Sequence, residues 1–269
     1  MNKFYKKKSL GQHFLKSRSA LSKIISAARL KAEDMVLEIG PGEGVLTEEI
    51  LSLGCKVVAL EKDRRLIPLL QNKFSREIEN GRLKILEVDA LKFKPEEVGE
   101  FAGDYKIVAN IPYYITGSFL EKYLTVKNQA EMMVIMVQRE VAERITARES
   151  KESILSISVK AYGEPRIVEK ISRRAFSPEP NVDSAILVIS AISRNFFREI
   201  DEKTFFKAVK MGFSKKRKLL INNISPLFNN KKVLEIFKKC EIDQKKRAED
   251  ITLEDWGCIA QEIRKIVIK

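Results

Sequence analysis

The stretch "VLEIGPGEGVLTEEI", residues 36–50, decides the fold. Its first four residues read as a short buried strand. Gly40, Gly42 and Gly44 follow at every second position, and "VLTEEI" resumes with helical spacing. Glycines here permit a tight turn and let a ligand approach the backbone, and the helix that follows points its N-terminus at the turn. Strand, glycine turn and helix together form the opening unit of a doubly wound α/β sheet.

The same alternation extends outward. "KVVALE", "LKILEV", "YKIVANI" and "MMVIMV" read as strands, and "RRLIPLLQNKF", "GSFLEKYLT" and "REVAERITAR" as helices among them. A helix over about 19–30 precedes the set. Two later strands, "PRIVEKIS" and "DSAILVIS", flank the proline-bearing loop "RRAFSPEPNV", a spacing that predicts an antiparallel pair. From about residue 201 the pattern is helical only, including "KKRKLLINNI". The expectation is a Rossmann-like α/β domain with a basic N-terminal arm over 1–197, then a small α-helical domain over 198–269.

Charge and composition narrow the function. The 269 residues carry a net +13, unevenly: residues 1–32 hold +9, residues 195–269 hold +7, and the middle is −3. Basic ends around a slightly acidic core fit a polyanion partner, above all nucleic acid. Lys6, Lys7 and Lys8 in the arm and Lys215, Lys216 and Arg217 near the C-terminus are the candidate phosphate contacts. No apolar run reaches the roughly 18–20 residues of a membrane span, and no signal-peptide h-region is present. Cys55, Cys240 and Cys258 lack C-x-x-C spacing, so reduced cytosolic thiols and a cytoplasmic location are expected, with no zinc site. His13 is the only histidine, so a multi-histidine metal site is impossible and no metal is expected.

Glu61 ends the strand after the glycine turn, 21 residues beyond Gly40. A carboxylate there can accept both ribose hydroxyls of a nucleoside. The turn reads G-P-G-E-G, not the G-x-G-x-x-G of dinucleotide sites, and Glu43 within it is awkward for a pyrophosphate. A cationic cofactor without phosphate, S-adenosylmethionine, suits it better than NAD. Asp89, after the next strand, would accept from the adenine amine, although a turn cap is an equally ordinary use of such an aspartate.

"NIPYYITGS", residues 110–118, ends the fourth strand on Asn110. Pro112 has no amide to donate to a ladder, so the strand must stop. Ligands bind outside the carboxyl ends of such strands, which places Asn110 at the methyl donor. An exocyclic amine is a poor nucleophile because its lone pair is drawn into the ring. The side-chain carbonyl of Asn110 and a backbone carbonyl of Ile111 or Pro112 can accept its two N–H groups and aim the lone pair. Tyr113 can stack on the base, a contact worth about 1–3 kcal/mol. The target base must be unpaired or flipped out.

These stretches, with "LGQHFL", "MVQREVAER", "FSPEPNVDSA", "GFSKKRKLLINNI" and "RAEDIT", resemble the ribosomal RNA adenine dimethyltransferases, in order from residue 10 to about 252. The resemblance implies dimethylation of two adjacent adenosines in a 3′-terminal hairpin loop of small-subunit rRNA during subunit assembly; separately, a monomer is expected. It carries cofactor contacts onto His13, Leu15, Gly40, Glu61, Asp89 and Asn110, with Gly42 in the same turn. Asn110, Pro112 and Tyr113 fall on the catalytic positions, and Phe176 on an aromatic lining the base pocket. The chain departs from the family at Tyr114, where asparagine is common, and in the segment 146–158. Two other functions compete: a resistance-type methyltransferase acting on 23S rRNA, and a catalytically silent assembly factor on the same fold. The basic C-terminal segment speaks against the first. The intact glycine turn, Glu61, Asp89, Asn110 and Tyr113 speak against the second.

Overall fold

The computed structural model describes residues 13–147, 151–225 and 230–267. Nine strands occur among them: β1 (Phe14–Leu15), β2 (Met35–Ile39), β3 (Lys56–Glu61), β4 (Leu83–Glu87), β5 (Lys106–Asn110), β6 (Met132–Gln138), β7 (Glu164–Ile171), β8 (Phe176–Ser177) and β9 (Ser184–Ser190). Seven of these form one sheet in the order β4-β3-β2-β5-β6-β9-β7, while β1 and β8 pair separately. The five strands from β4 to β6 run parallel, and β9 is antiparallel to both β6 and β7. This is the α/β architecture expected. The strand order turns back at β2, which lies between β3 and β5, and that switch point opens a crevice beyond the strand ends.

The central strands are near-continuous apolar runs because both their faces are covered. Val36, Leu37, Ile107, Val108 and Ala109 are fully buried. On one face lies α1 (Arg18–Ala28), whose Leu21, Ile24, Ala27 and Ala28 join the sheet core. Ser17 caps it by accepting from the Ala20 amide, and Arg29 ends it in a left-handed conformation. The sheet is further connected by α2 (Val45–Ser52), α3 (Ile67–Lys73), α4 (Ser75–Glu79), α5 (Thr116–Thr125) and α6 (Arg139–Ile145).

The expected boundary at residues 197 and 198 needs correction. The chain forms two compact units, 1–142 with 164–192, and 143–163 with 193–269. The second unit holds α7 (Ile154–Lys160), α8 (Glu202–Gly212), α9 (Leu220–Ile224), α10 (Asn230–Lys239) and α11 (Leu253–Val267). Glu152 donates its amide to the Glu249 carbonyl at 2.8 Å, Lys151 pairs with Asp250, and the Tyr162 hydroxyl donates to Glu202 at 2.5 Å. These links join residues 40 to 99 positions apart, so no local pattern reveals them.

Two further expectations fail in this unit. Lys215–Lys218 do not continue a helix: Asn223 donates its side-chain amide to the carbonyls of Gly212 (2.5 Å) and Lys215 (3.1 Å), which fastens the segment as a turn. Cys240 and Cys258 form a disulfide, their Cα atoms 5.8 Å apart, so only Cys55 is a free, buried thiol among the described residues. Cys240 directly follows α10 and Cys258 lies within α11, so it is the packing of these helices, not a spacing motif, that brings them to bridging distance.

Candidate active site

The crevice is lined from four directions. The turn after β2 supplies Gly40 and Gly42, the end of β3 supplies Glu61, Lys62 and Asp63, the end of β4 supplies Asp89, and the end of β5 supplies Asn110 to Ile115. Gly42 has φ +61, and a Cβ on it would lie 2.7 Å from the Phe14 ring. Glycine is required there on both counts. Phe14 itself lines the crevice, a residue that sequence reading passed over between His13 and Leu15.

Glu61 is almost fully buried. Its Oε1 accepts from the Asp63 amide at 2.7 Å and its Oε2 from the Gly42 amide at 3.2 Å. Burial raises its carboxyl above the ordinary value, against the pull of these donors. The bond to Gly42 ties the glycine turn to β3, and each carboxylate oxygen keeps a lone pair for a ligand hydroxyl. Asp89 is more engaged than expected: Oδ1 accepts from the Leu91 amide at 2.9 Å and Oδ2 pairs with the Lys62 ammonium at 2.8 Å. Lys62 holds that carboxyl below its ordinary value. An adenine amine would share an aspartate already paired.

Beneath the turn, Glu38 is completely buried, and neither carboxylate oxygen has a full hydrogen bond. Burial pushes its carboxyl up to about 8; the Thr47 hydroxyl opposes this, though without a hydrogen bond of full geometry, and the nearby Glu61 adds a smaller upward push.

Around Asn110 the chain's start is fastened down. Phe14 and Leu15 pair with Ser177 and Phe176, and the Lys16 amide donates to the Ala175 carbonyl at 2.8 Å. His13 Nδ1 lies 2.8 Å from the Pro178 carbonyl, which can only accept, so Nδ1 carries the proton. The His13 carbonyl in turn accepts from Asn110 Nδ2 at 3.1 Å. The amide nitrogen of Asn110 is thereby committed, and its carbonyl is the end left to a substrate. Tyr113 stacks on His13 (centroids 5.9 Å apart, planes at 17°), and its hydroxyl shares a 2.6 Å hydrogen bond with Ser184 on β9. Burial pushes the Tyr113 phenol up, away from neutral pH.

The structure thus brings His13, Gly40, Gly42, Glu61, Asp89, Asn110, Pro112 and Tyr113 to one crevice. Leu15 lies just behind it, in a small adjoining hollow with Gly40 and Asn110. Phe176 does not line the crevice. It is 4% exposed in the sheet core, and its strand is what holds His13 in place. Lys215, Lys216 and Arg217 are exposed in the second unit, while Lys6, Lys7 and Lys8 lie outside the described residues.

The sequence profile described as "Ribosomal RNA adenine dimethylase" matches residues 3–265. The chain belongs to the ribosomal RNA adenine dimethylase family. A "Ribosomal RNA small subunit methyltransferase A" of Dehalococcoides mccartyi is 42% identical over 258 residues, covering 95% of this chain and 88% of the relative. Among solved structures, a dimethyladenosine transferase from Plasmodium falciparum superposes with a TM-score of 0.80 at 28% identity, over 94% of this chain and 98% of that one. The 23S rRNA methyltransferase ErmE shares the fold, with a TM-score of 0.75 at 24% identity over 93% of this chain and 99% of that one. The dimethylase is a methyltransferase enzyme, and membership in the family implies use of S-adenosylmethionine. The crevice fits that cofactor: the carboxylates of Glu61 and Asp89 line it, and its lysine, Lys62, is already paired with Asp89, a poor cradle for a pyrophosphate and a suitable one for a sulfonium.

Proposed function

We propose that the dimethylase methylates the N6 amines of two adjacent adenosines in the 3′-terminal hairpin loop of small-subunit rRNA, acting in the cytoplasm on assembling small subunits. The observation that carries this reading is the commitment of Asn110 Nδ2 to the His13 carbonyl. A fixed amide presents a neutral carbonyl acceptor at the end of β5, which is what an unreactive exocyclic amine requires. The small-subunit name of the relatives supports the choice of RNA. S-adenosylmethionine supplies the methyl group. Asn110 Oδ1 and a backbone carbonyl of Ile111 or Pro112 accept the amine's N–H groups. Tyr113, held by Ser184 and His13, offers its ring to the base. No strong general base is needed, because the amine becomes acidic only as it is alkylated.

The test is transfer of labelled methyl groups to purified small-subunit particles and, in parallel, to 23S rRNA, with mapping of the modified bases. Dimethyladenosine at two neighbouring positions near the 3′ end of the small-subunit RNA is expected. Modification of 23S rRNA alone would replace this reading with the resistance type.

Two outcomes follow for individual groups. Glu61→Ala should weaken S-adenosylmethionine binding about ten-fold or more, since hydrogen bonds to a charged group contribute about 1.5–3 kcal/mol each. RNA affinity should hold. Unaltered cofactor affinity by calorimetry, in a folded variant, would remove Glu61 from the site. Neutralising Lys215, Lys216 and Arg217 together should flatten the salt dependence of RNA binding, by about 0.7–0.9 in log–log slope for each phosphate they no longer neutralise. An unchanged slope would mean these cations are merely solvated.

A further inference from the structure

The first unit carries a second concavity at the other end of the sheet. It is bounded by Lys23, Ser26 and Arg29 of the α1 region and by Arg166 and Val168 of the edge strand β7. The Arg29 carbonyl accepts from Lys106, the first residue of β5, whereas the crevice lies beyond Asn110, the last. At about 3.3 Å per residue, the five residues of β5 separate the two sites by roughly 17 Å.

A bulge in β7 builds the hollow. Arg166 pairs with Val188 and Glu169 with Ile186, with one extra residue between Ile167 and Glu169. Simple alternation would send Arg166 and Glu169 to opposite faces; the added residue returns both to the side facing α1. Glu169 is then taken up by Lys23, at 2.9 Å. Nearby, Asp34 and Glu131 are taken up by Lys106. Arg29 and Arg166 are exposed and have no carboxylate partner among the described residues. A charged edge strand guards against edge-to-edge pairing, but Pro165 and Lys170 already do this, and that role does not explain Arg29 converging from another element.

We propose that this hollow binds a phosphodiester of the rRNA substrate, a second contact remote from methyl transfer. Guanidinium groups match phosphate oxygens with paired donors, and the chain's partner is already read as a polyanion. The inference rests on the rRNA reading of the crevice. It adds that the bound RNA extends well beyond the methylated loop.

The test compares the wild type with Arg29→Asn/Arg166→Gln; asparagine tolerates the left-handed backbone of position 29. Lys84→Gln/Lys94→Gln, which removes the same charge on and beyond the opposite edge strand β4, is the control. Binding to whole small-subunit rRNA and to a short RNA hairpin carrying the target loop is measured across a salt series. For whole rRNA the Arg variant should lose about 1.5 in log–log slope, with KM raised and kcat held. For the short hairpin its slope should match the wild type, and S-adenosylmethionine affinity should be unchanged. An unaltered slope on whole rRNA, an equal loss in the control, or an equal loss on the hairpin would each overturn the proposal. So would loss of binding to anionic lipid vesicles with RNA binding intact. Failure of the wild type to methylate small-subunit rRNA would be a separate result, sinking the reading of the crevice instead.

Discussion

Asn110→Ala is expected to lower the rate of methyl transfer about 10²–10³-fold, the usual cost of losing one preorganised polar group at a reacting centre. Two losses combine. The acceptor for the target amine disappears, and the His13 carbonyl loses its partner at 3.1 Å, so the segment leading into β1 is loosened. Asn110→Asp separates binding from product outcome. The first transfer leaves an amine with one N–H and one methyl, which must still aim its lone pair. A neutral carbonyl tolerates the missing N–H because no buried charge is stranded. A carboxylate grips N–H donors more tightly and suffers more when one is gone. Monomethyladenosine should therefore accumulate in the Asp variant and remain transient in the wild type. Mass analysis of nucleosides over time decides this; equal slowing of both steps would refute the explanation.

Glu38 governs the second large effect, which falls on stability. Its carboxyl is raised from an ordinary 4.5 to about 8 in the folded chain, with burial as the chief cause. Below pH 4.5 the group is neutral both folded and unfolded, and it does not oppose folding. Between pH 4.5 and 8 the unfolded chain releases the proton while the folded chain keeps it, so stability falls as pH rises. At 1.36 kcal/mol per pH unit the loss approaches about 5 kcal/mol by pH 8. Urea unfolding of the wild type should show a falling midpoint from pH 5.5 to 8.5. Glu38→Gln, which cannot ionise, should flatten that fall. Parallel curves for the two proteins would show that Glu38 does not carry the dependence.

What could be read from the chain alone was what short-range pattern encodes. Apolar runs bounded by turn residues marked the seven main strands, and Gly40, Gly42 and Gly44 marked the crevice, because a backbone at φ above +60° has few other occupants. Asn110 and Tyr113 were visible because Pro112 ends a strand where ligands bind. Asp89 was legible as a position but not as half of an ion pair, since Lys62 comes from the end of another strand. The burial of Phe176 was hidden for the same reason: its pairing with Leu15 joins segments some 160 residues apart. The Cys240–Cys258 bridge and the 143–163 insertion likewise depend on packing between distant elements, for which periodicity offers no signal.

The divided second unit has a consequence for how the chain emerges from the ribosome. Residues 143–163 are synthesised before β7 and β9, yet their partners, such as Glu202, Glu249 and Asp250, appear much later. The nascent sheet can zip β9 onto β6 with this segment looped out, paying only a loop-closure entropy that grows slowly with length. The looped segment then waits, with α7 unsupported, until translation is almost finished. At about 5–20 residues per second, the interval is several seconds in which Ile157 and Val159, fully buried in the finished protein, have nothing to pack against. Nor does a single scissor cut release a self-contained catalytic fragment, because stopping the chain near residue 197 would strand that helix permanently.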